Sequence, residues 1–485
     1  MCDRACETGD GGQGGTHRKP HTANPSPCSN ALMLIGMLVL FVSLTEITSG
    51  ASWAQSDTTA GSASDISNTT SLSATPWLKM VKSEWGGHFK VRGSASWPDD
   101  ESYFHPVGTD PLYDGTIETR LTNRLFLGAW GMFETHYENI LSSGGTRRRL
   151  QALEQLYPDL FTGSMSRIGP LEDDRRFMDL TKTIKEDGDC VWYHRLDRLF
   201  LSMQPEFGVF TIGRQAVTWG NGLLFNPMDL FNPFSPADIE RDYKVGDDLI
   251  SIQFPVSRVG DFQFLYVPRR DPISGDIQWD QSSLAGKLHF ARGTTEFDIM
   301  TAIHYEDTVI GLGSTGYLGD AAWRLDAVWT FLREDRGTED YLSLVANMDY
   351  SWVWWKKNFY GFLEFYFNGL GDDRYTVAFA DPDLSERLER GEAHTLGRAY
   401  LSGHIRIELH PLFNVYLTAI NNIADPSGIL QPRGVWDMTE DIQITFGGTV
   451  YYGQQGTEYG GFTLPGTNLL STAPDSAFLW LTYFF

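Results

Sequence analysis

A chain that ends Ser476-Ala-Phe-Leu-Trp-Leu-Thr-Tyr-Phe-Phe485 has few ways to fold that end. Taken in steps of two, Ala477, Leu479, Leu481, Tyr483 and Phe485 make one wholly apolar face. Alternate residues of a strand share a face, so the segment reads as a strand. Its other face, Phe478, Trp480, Thr482 and Phe484, is aromatic as well. Such a strand needs apolar surroundings on one side and packed side chains on the other. A buried last strand of a soluble sandwich meets that need, and so does a wall that faces lipid.

The same period of two recurs along the chain. Phe89 and Val91 alternate with His88, Lys90 and Arg92, and Ile117, Leu121 and Leu125 with Glu118, Arg120, Thr122 and Arg124. Trp323, Leu325, Ala327, Trp329 and Phe331 alternate with Arg324 and Asp326; Leu401, Ile405, Ile407 and Leu409 alternate with Arg398, Ser402, His404 and Arg406. A soluble antiparallel sheet alternates too. Recurrence over roughly 400 residues, without a helical-period stretch, points instead to one large all-β domain. Mean hydropathy is −0.26, and no run after residue 50 approaches the ~18 apolar residues of a membrane helix. Yet aromatic residues reach 13%. A chain polar on average but rich in aromatics suits strands with one lipid face and one wet face.

Ala31 to Leu44 is an apolar core of about fourteen residues behind Arg18 and Lys19, followed by small residues near 51 and 54, which reads as a secretory signal peptide. The organisation expected is a leader and signal peptide over 1–54, a flexible Ser/Thr/Ala-rich lead-in over 55–83, and a transmembrane antiparallel β-barrel over 84–485. About eighteen strands are expected, with sixteen as the runner-up. The eighteen-strand division places short connections on the side of the termini, the periplasm. It places every long one (98–116, 139–193, 216–248, 268–282, 368–397 and 453–475) outside, as in barrels of this kind.

This layout and the terminal Phe485 resemble the Gram-negative outer-membrane porin-like β-barrels. The Gly213-Arg-Gln, Trp219-Gly and Asn226-Pro pattern is loosely similar to members near the alginate-export type. The resemblance implies an outer-membrane location in contact with lipid and lipopolysaccharide. It also implies that the assembly machinery reads the last strand, that small hydrophilic solutes pass, and that no cofactor is needed.

If the apolar faces meet lipid, the polar alternates line the lumen. The pore-lining candidates are Lys90, Arg92, Arg120, Arg124, Glu134, Arg198, Arg324, Asp326, Arg398 and Arg406, and charges of both signs there would set ion preference. The 216–248 segment, punctuated by Gly, Pro and Asn, is too long for a hairpin turn. It is expected to fold inward, with Arg214, Asp229, Arg241, Asp242 and Lys244 at a constriction. Solvated wall charges held in salt bridges, and a cap packed on the rim, are the plainer readings of the two sets.

The net charge of −24 argues against a general nucleic-acid binder. Past the leader only Cys190 remains, and no Cys/His spacing suits haem or zinc. A barrel hydrolase would need a nucleophile with an oriented base, and the scattered histidines offer no such spacing. The other alternative is a sheath for a partner protein, such as an electron-carrying cytochrome, in the lumen or periplasm.

Overall fold

The computed structural model describes residues 81–158, 173–237, 243–333 and 339–485. The signal peptide, nearly all of the lead-in, Arg241 and Asp242 lie outside the described residues. The strands of the first half are β1 (Val81–Trp97), β2 (Leu112–Leu127), β3 (Gly131–Gly144), β4 (Thr181–Asp187), β5 (Cys190–Met203), β6 (Val209–Gln215), β7 (Asp247–Ser257), β8 (Gly260–Arg270) and β9 (Ile277–Arg292). The second half holds β10 (Thr295–His304), β11 (Asp307–Leu318), β12 (Ala321–Phe331), β13 (Tyr341–Trp354), β14 (Lys357–Asn368), β15 (Ala399–His410), β16 (Phe413–Asn422), β17 (Ser427–Asp437), β18 (Ile442–Tyr452) and β19 (Asp475–Phe484).

Each strand pairs antiparallel with the next, except that β3 bonds directly to β5. The terminal segment β19 then closes the sheet on β1, from His88↔Phe484 to Trp97↔Asp475. Leaving β4 aside, eighteen strands form a closed wall, so no edge is left to seek a partner. β6 is only 7 residues long. It pairs with Leu199–Met203 of β5 and leaves the upper part of β5 to β4, which pairs from Cys190 to Arg195. β4 was not expected from sequence, because Thr181-Lys-Thr-Ile-Lys-Glu-Asp187 has no apolar alternate and six of its seven residues are exposed.

Connections alternate in length. Two-residue turns join β7–β8, β9–β10, β11–β12, β13–β14 and β15–β16 on the side of the termini, whereas 216–246, 369–398 and 453–474 lie on the other. Two connections on the long-loop side are short, 423–426 and the tight turn at Tyr305-Glu306, where both residues have positive φ (51° and 74°).

Burial runs opposite to that of a soluble sheet. On β10, Phe297, Ile299, Thr301 and Ile303 alternate as exposed or part-exposed outward residues with buried Asp298, Met300, Ala302 and His304. Leu312, Leu325, Trp329, Leu363, Leu401 and Leu479 are likewise exposed, while Lys90, Arg120, Asp326 and Glu364 are buried. An apolar outer belt of this extent is stable only against lipid. Among the described residues no helix is long and apolar enough to cross a membrane, so the strands make the crossing. The short turns are therefore periplasmic and the long loops extracellular.

The inner face is not polar throughout. Leu265, Val267, Ala285, Met300, Ala302, Val309 and Val328 form an apolar patch with Trp219, Met228 and Phe231 of the 216–246 loop. Where that loop packs, the lumen has a core.

Candidate functional site

The loop joining β6 to β7 crosses the lumen. Gly213, at φ 123°, turns the end of β6 and is followed by Arg214, which is buried between Asp248 (2.8 Å) and Asp173 (3.0 Å). Trp219 then donates its indole N–H to Gln263 of β8 and packs edge-on against Phe231. Asn221 donates its backbone N–H (2.6 Å) and its side-chain amide (2.7 Å) to Asp326 of β12. The backbone N–H groups of Leu223, Leu224 and Phe225 all donate to Glu364 of β14, at 2.6, 3.0 and 2.8 Å. Asn347 of β13 links the two sites by donating to Asn221 O and to Glu364. The Phe225 ring stacks on Tyr366 at 4.4 Å and meets Tyr400 of β15. Further along, Gln431 of β17 donates to Ala237 O at 2.8 Å. The chain returns at Tyr243, whose ring lies 4.3 Å from the Arg120 guanidinium of β2.

The wall is shaped for this crossing. On β11 the inward positions opposite Met228 and Asn221 are Gly311 and Gly313. A Cβ at Gly311 would lie 2.9 Å from Met300 and 3.2 Å from Met228, and one at Gly313 would lie 2.8 Å from Asp326 and 2.9 Å from Asn221. Any side chain there would push the loop away. Burying Trp219, Met228 and Phe231 contributes about 1.5–3 kcal/mol each. Hydrogen bonds to a buried carboxylate add about 1.5–3 kcal/mol apiece. The loop is thus a fixed part of the barrel, with its strongest hold on the β8–β12 side.

At the neck of the loop Lys244 sits 2.6 Å from Asp229, both buried. Burial pushes the Asp229 carboxyl up to about 6 even though the Lys244 ammonium pulls it down, and burial likewise lowers Lys244. Arg241 and Asp242, the other two constriction candidates, lie outside the described residues.

The pore-lining candidates fall into two groups. Those on β1–β5 are locked together: Lys90 lies over the Trp480 ring, Arg92 and His88 hold Glu118, and Arg120 holds Glu138 and Asp197. A bulge opposite His136–Tyr137 skips Asp197 in the β5 register, so adjacent Asp197 and Arg198 are both buried, 2.8 Å apart. Arg198 also donates to Lys244 O, which ties this wall to the loop. Glu134 takes His136 and Arg124, and the Arg124 side chain stays 54% exposed.

On β12–β17 the contacts are looser. Asp326 is wholly buried against the loop, but Arg324, one pair lower on the same face, reaches Asn347 and Asp349 and is partly exposed. Arg406 lies over Tyr360 (5.6 Å) and is exposed although it shares the inward face with buried Ser402 and Tyr400. Arg433 of β17 lies over Tyr416 (4.7 Å). Arg398 is apart from these, at the extracellular rim, where it donates to Gly371 O. Sequence reading missed Glu458, Tyr243 and the aromatic positions 219, 225 and 231, since long-loop residues carry no periodicity.

No protein-family model and no curated protein matches the chain by sequence. Several solved outer-membrane barrels are similar in structure. OccAB3 of Acinetobacter baumannii is 9% identical, with 83% of this chain and 99% of that one covered at a TM-score of 0.47. OccK5 (OpdH) of Pseudomonas aeruginosa is 8% identical, with 84% and 99% covered at a TM-score of 0.47. Wzi of Escherichia coli, described as an outer-membrane protein involved in group 1 capsule assembly and a carbohydrate-binding β-barrel, is 8% identical, with 81% and 83% covered at a TM-score of 0.44. At such identities the likeness is one of architecture. It is the closed eighteen-strand wall with its apolar outer belt that makes the fold an outer-membrane β-barrel.

Proposed function

We propose that this barrel is an outer-membrane channel that passes small hydrophilic solutes beside a fixed loop narrowing its lumen. One observation carries the reading: the 216–246 loop is pinned to the far wall by Asp326 and Glu364, yet inward-facing Arg406 below it remains exposed. Water therefore reaches the periplasmic half of the lumen, and the narrow level is the loop. Charged groups at that level would set which solutes pass. Export by the N-terminal apolar segment and recognition of β19 by the assembly machinery complete the proposal, with lipopolysaccharide as the outer contact.

The test is conductance. Purified, heat-modifiable protein in a planar bilayer should give stable ohmic steps. Replacing 219–231 with a short Gly/Ser linker should enlarge them severalfold. A correctly folded barrel that carries no current in either form would overturn the channel reading and favour a barrel filled by a partner protein.

A further inference from the structure

At the extracellular end, above the far arm of the crossing loop, lies a cavity of about 700 Å³. Its walls come from four connections. Tyr103 belongs to the β1–β2 loop, Phe225 to the crossing loop, Phe379 to the short helix Tyr375–Ala380, and Tyr451, Tyr459 and Phe462 to the end of β18 and the segment after it. It sits between two apolar clusters, one built on Phe104, Tyr375 and Phe462, the other on Phe225, Tyr400 and Ile429. Six aromatic rings around one space are more than a path for salt and water requires.

The charge of the lining is one-sided. Apart from tyrosines, its ionisable side chains among the described residues are Glu389, Glu458 and His394, with no Lys or Arg. Glu389 is exposed at the C-terminal end of the helix Pro382–Arg390. Glu458 is buried below, 2.6 Å from the Tyr400 hydroxyl and 2.7 Å from Asn422. Four arginines of this end, Arg175, Arg176, Arg269 and Arg390, line a separate cavity of about 240 Å³, together with Asp174, Asp247, Glu392 and Glu389, which borders both spaces.

We propose that the 700 Å³ vestibule is a binding site for a small organic cation carrying an aromatic ring, an arylalkylammonium ion. The ring would lie against aromatic faces, offset-stacked or edge-on. The ammonium group would be drawn by Glu389 at the mouth and by the negative faces of the tyrosines, the arrangement by which aromatic-lined pockets hold ammonium ions. Phe225 forms part of the floor and packs in turn on Tyr366 and Tyr400, so the site stands over the loop's anchorage on β14 and β15. This deepens the channel reading and rests on it for the claim that the bound cation is cargo.

Calorimetric titration of the purified, folded full chain with phenethylammonium, phenylacetate and ethylammonium tests the site without using transport. Phenethylammonium should bind at least about tenfold more tightly than either of the others, a difference of about 1.4 kcal/mol. Glu389→Gln and Phe379→Leu should each weaken it by about fivefold or more while leaving heat-modifiability intact. Equal binding of phenylacetate overturns the charge assignment, equal binding of ethylammonium overturns the ring, and unchanged affinity in both variants overturns the place. Bilayer recordings separate the two readings. Binding without any conductance leaves the site standing and removes the channel, whereas conductance with no binding of phenethylammonium removes the site alone.

Discussion

Arg120 and Arg124 share one face of β2 four residues apart, and sequence treats them alike. Their surroundings do not. Arg120 is 2% exposed and is held by Glu138, Asp197 and the Tyr243 ring. Arg120→Glu would leave three buried carboxylates together, and losing one partner of a buried pair costs about 3–5 kcal/mol. Its expected effect is a lower yield of folded barrel and an earlier unfolding midpoint, read by heat-modifiability. Arg124 has more than half its side chain in water, where a salt bridge is worth about 0–1 kcal/mol. Arg124→Glu should fold normally and move the reversal potential in a salt gradient toward cation preference; an unmoved potential would take Arg124 out of the conducting path.

Asp229 gives a pH dependence whose sign can be worked out. Burial raises its folded value to about 6, above the ~4 of a free aspartate. Between those two values the docked loop holds a proton that the free loop has lost. Docking is therefore strongest below about 4, weakens as pH rises toward 6 and is level above it. Amide exchange over Trp219–Phe231, corrected for its intrinsic pH dependence, should be better protected at pH 4.5 than at pH 7. Asp229→Asn should flatten that difference, and a difference that survives the substitution belongs to another group.

At the scale of elements, the wall was legible and the loop only in part. The wall strands follow from alternation because a lipid face must be apolar, except β6, where Phe210 and Ile212 share parity with buried Arg214, and the turns follow from where alternation stops. β4 was hidden because it stands clear of both lipid and core, so nothing selects a pattern in it. The inward apolar positions on β8–β12 were hidden for a related reason. Met300, Ala302, Val309 and Val328 face not water but Trp219, Met228 and Phe231, and that partner lies in a loop without periodicity. Gly311 and Gly313 were the available signal, being two small residues at adjacent inward positions of one strand. Gly313→Val would place side-chain atoms against Asp326 and Asn221, and overpacking of this kind costs about 1–3 kcal/mol. That matches the Asn221 contacts but not the apolar anchorage. The tip at 221–225 should therefore come free while Trp219 and Met228 stay docked. Larger, noisier single-channel currents with unchanged protease resistance at the loop base would mark that outcome; unchanged currents would mean that the tip does not narrow the path.

At the scale of the molecule, closure of β19 on β1 makes the barrel a tube whose two ends differ chemically. The extracellular vestibule offers Glu389 and Glu458 among rings. The periplasmic half carries Arg406 and Arg433, which lie over Tyr360 and Tyr416 and have no ion pair with any described carboxylate. The carboxylates nearest them in the register serve others, Asp349 pairing with Arg324 and Glu408 bonding to Asn358. Exposed Glu389 at one mouth, with Arg406 and Arg433 at the other, would set up an internal field along the axis. Ions entering from the two sides then meet different barriers, so the current should rectify. At about 0.1 M salt the screening length is ~10 Å, and 1 M salt cuts it to ~3 Å. Rectification should consequently be clear at low salt and nearly vanish at 1 M. The double variant Arg406→Gln, Arg433→Gln removes one pole without touching the buried networks on β1–β5. It should make the low-salt current–voltage curve more symmetric and lower anion preference. A curve whose asymmetry survives both the double variant and 1 M salt would place its origin in the shape of the loop and not in these charges.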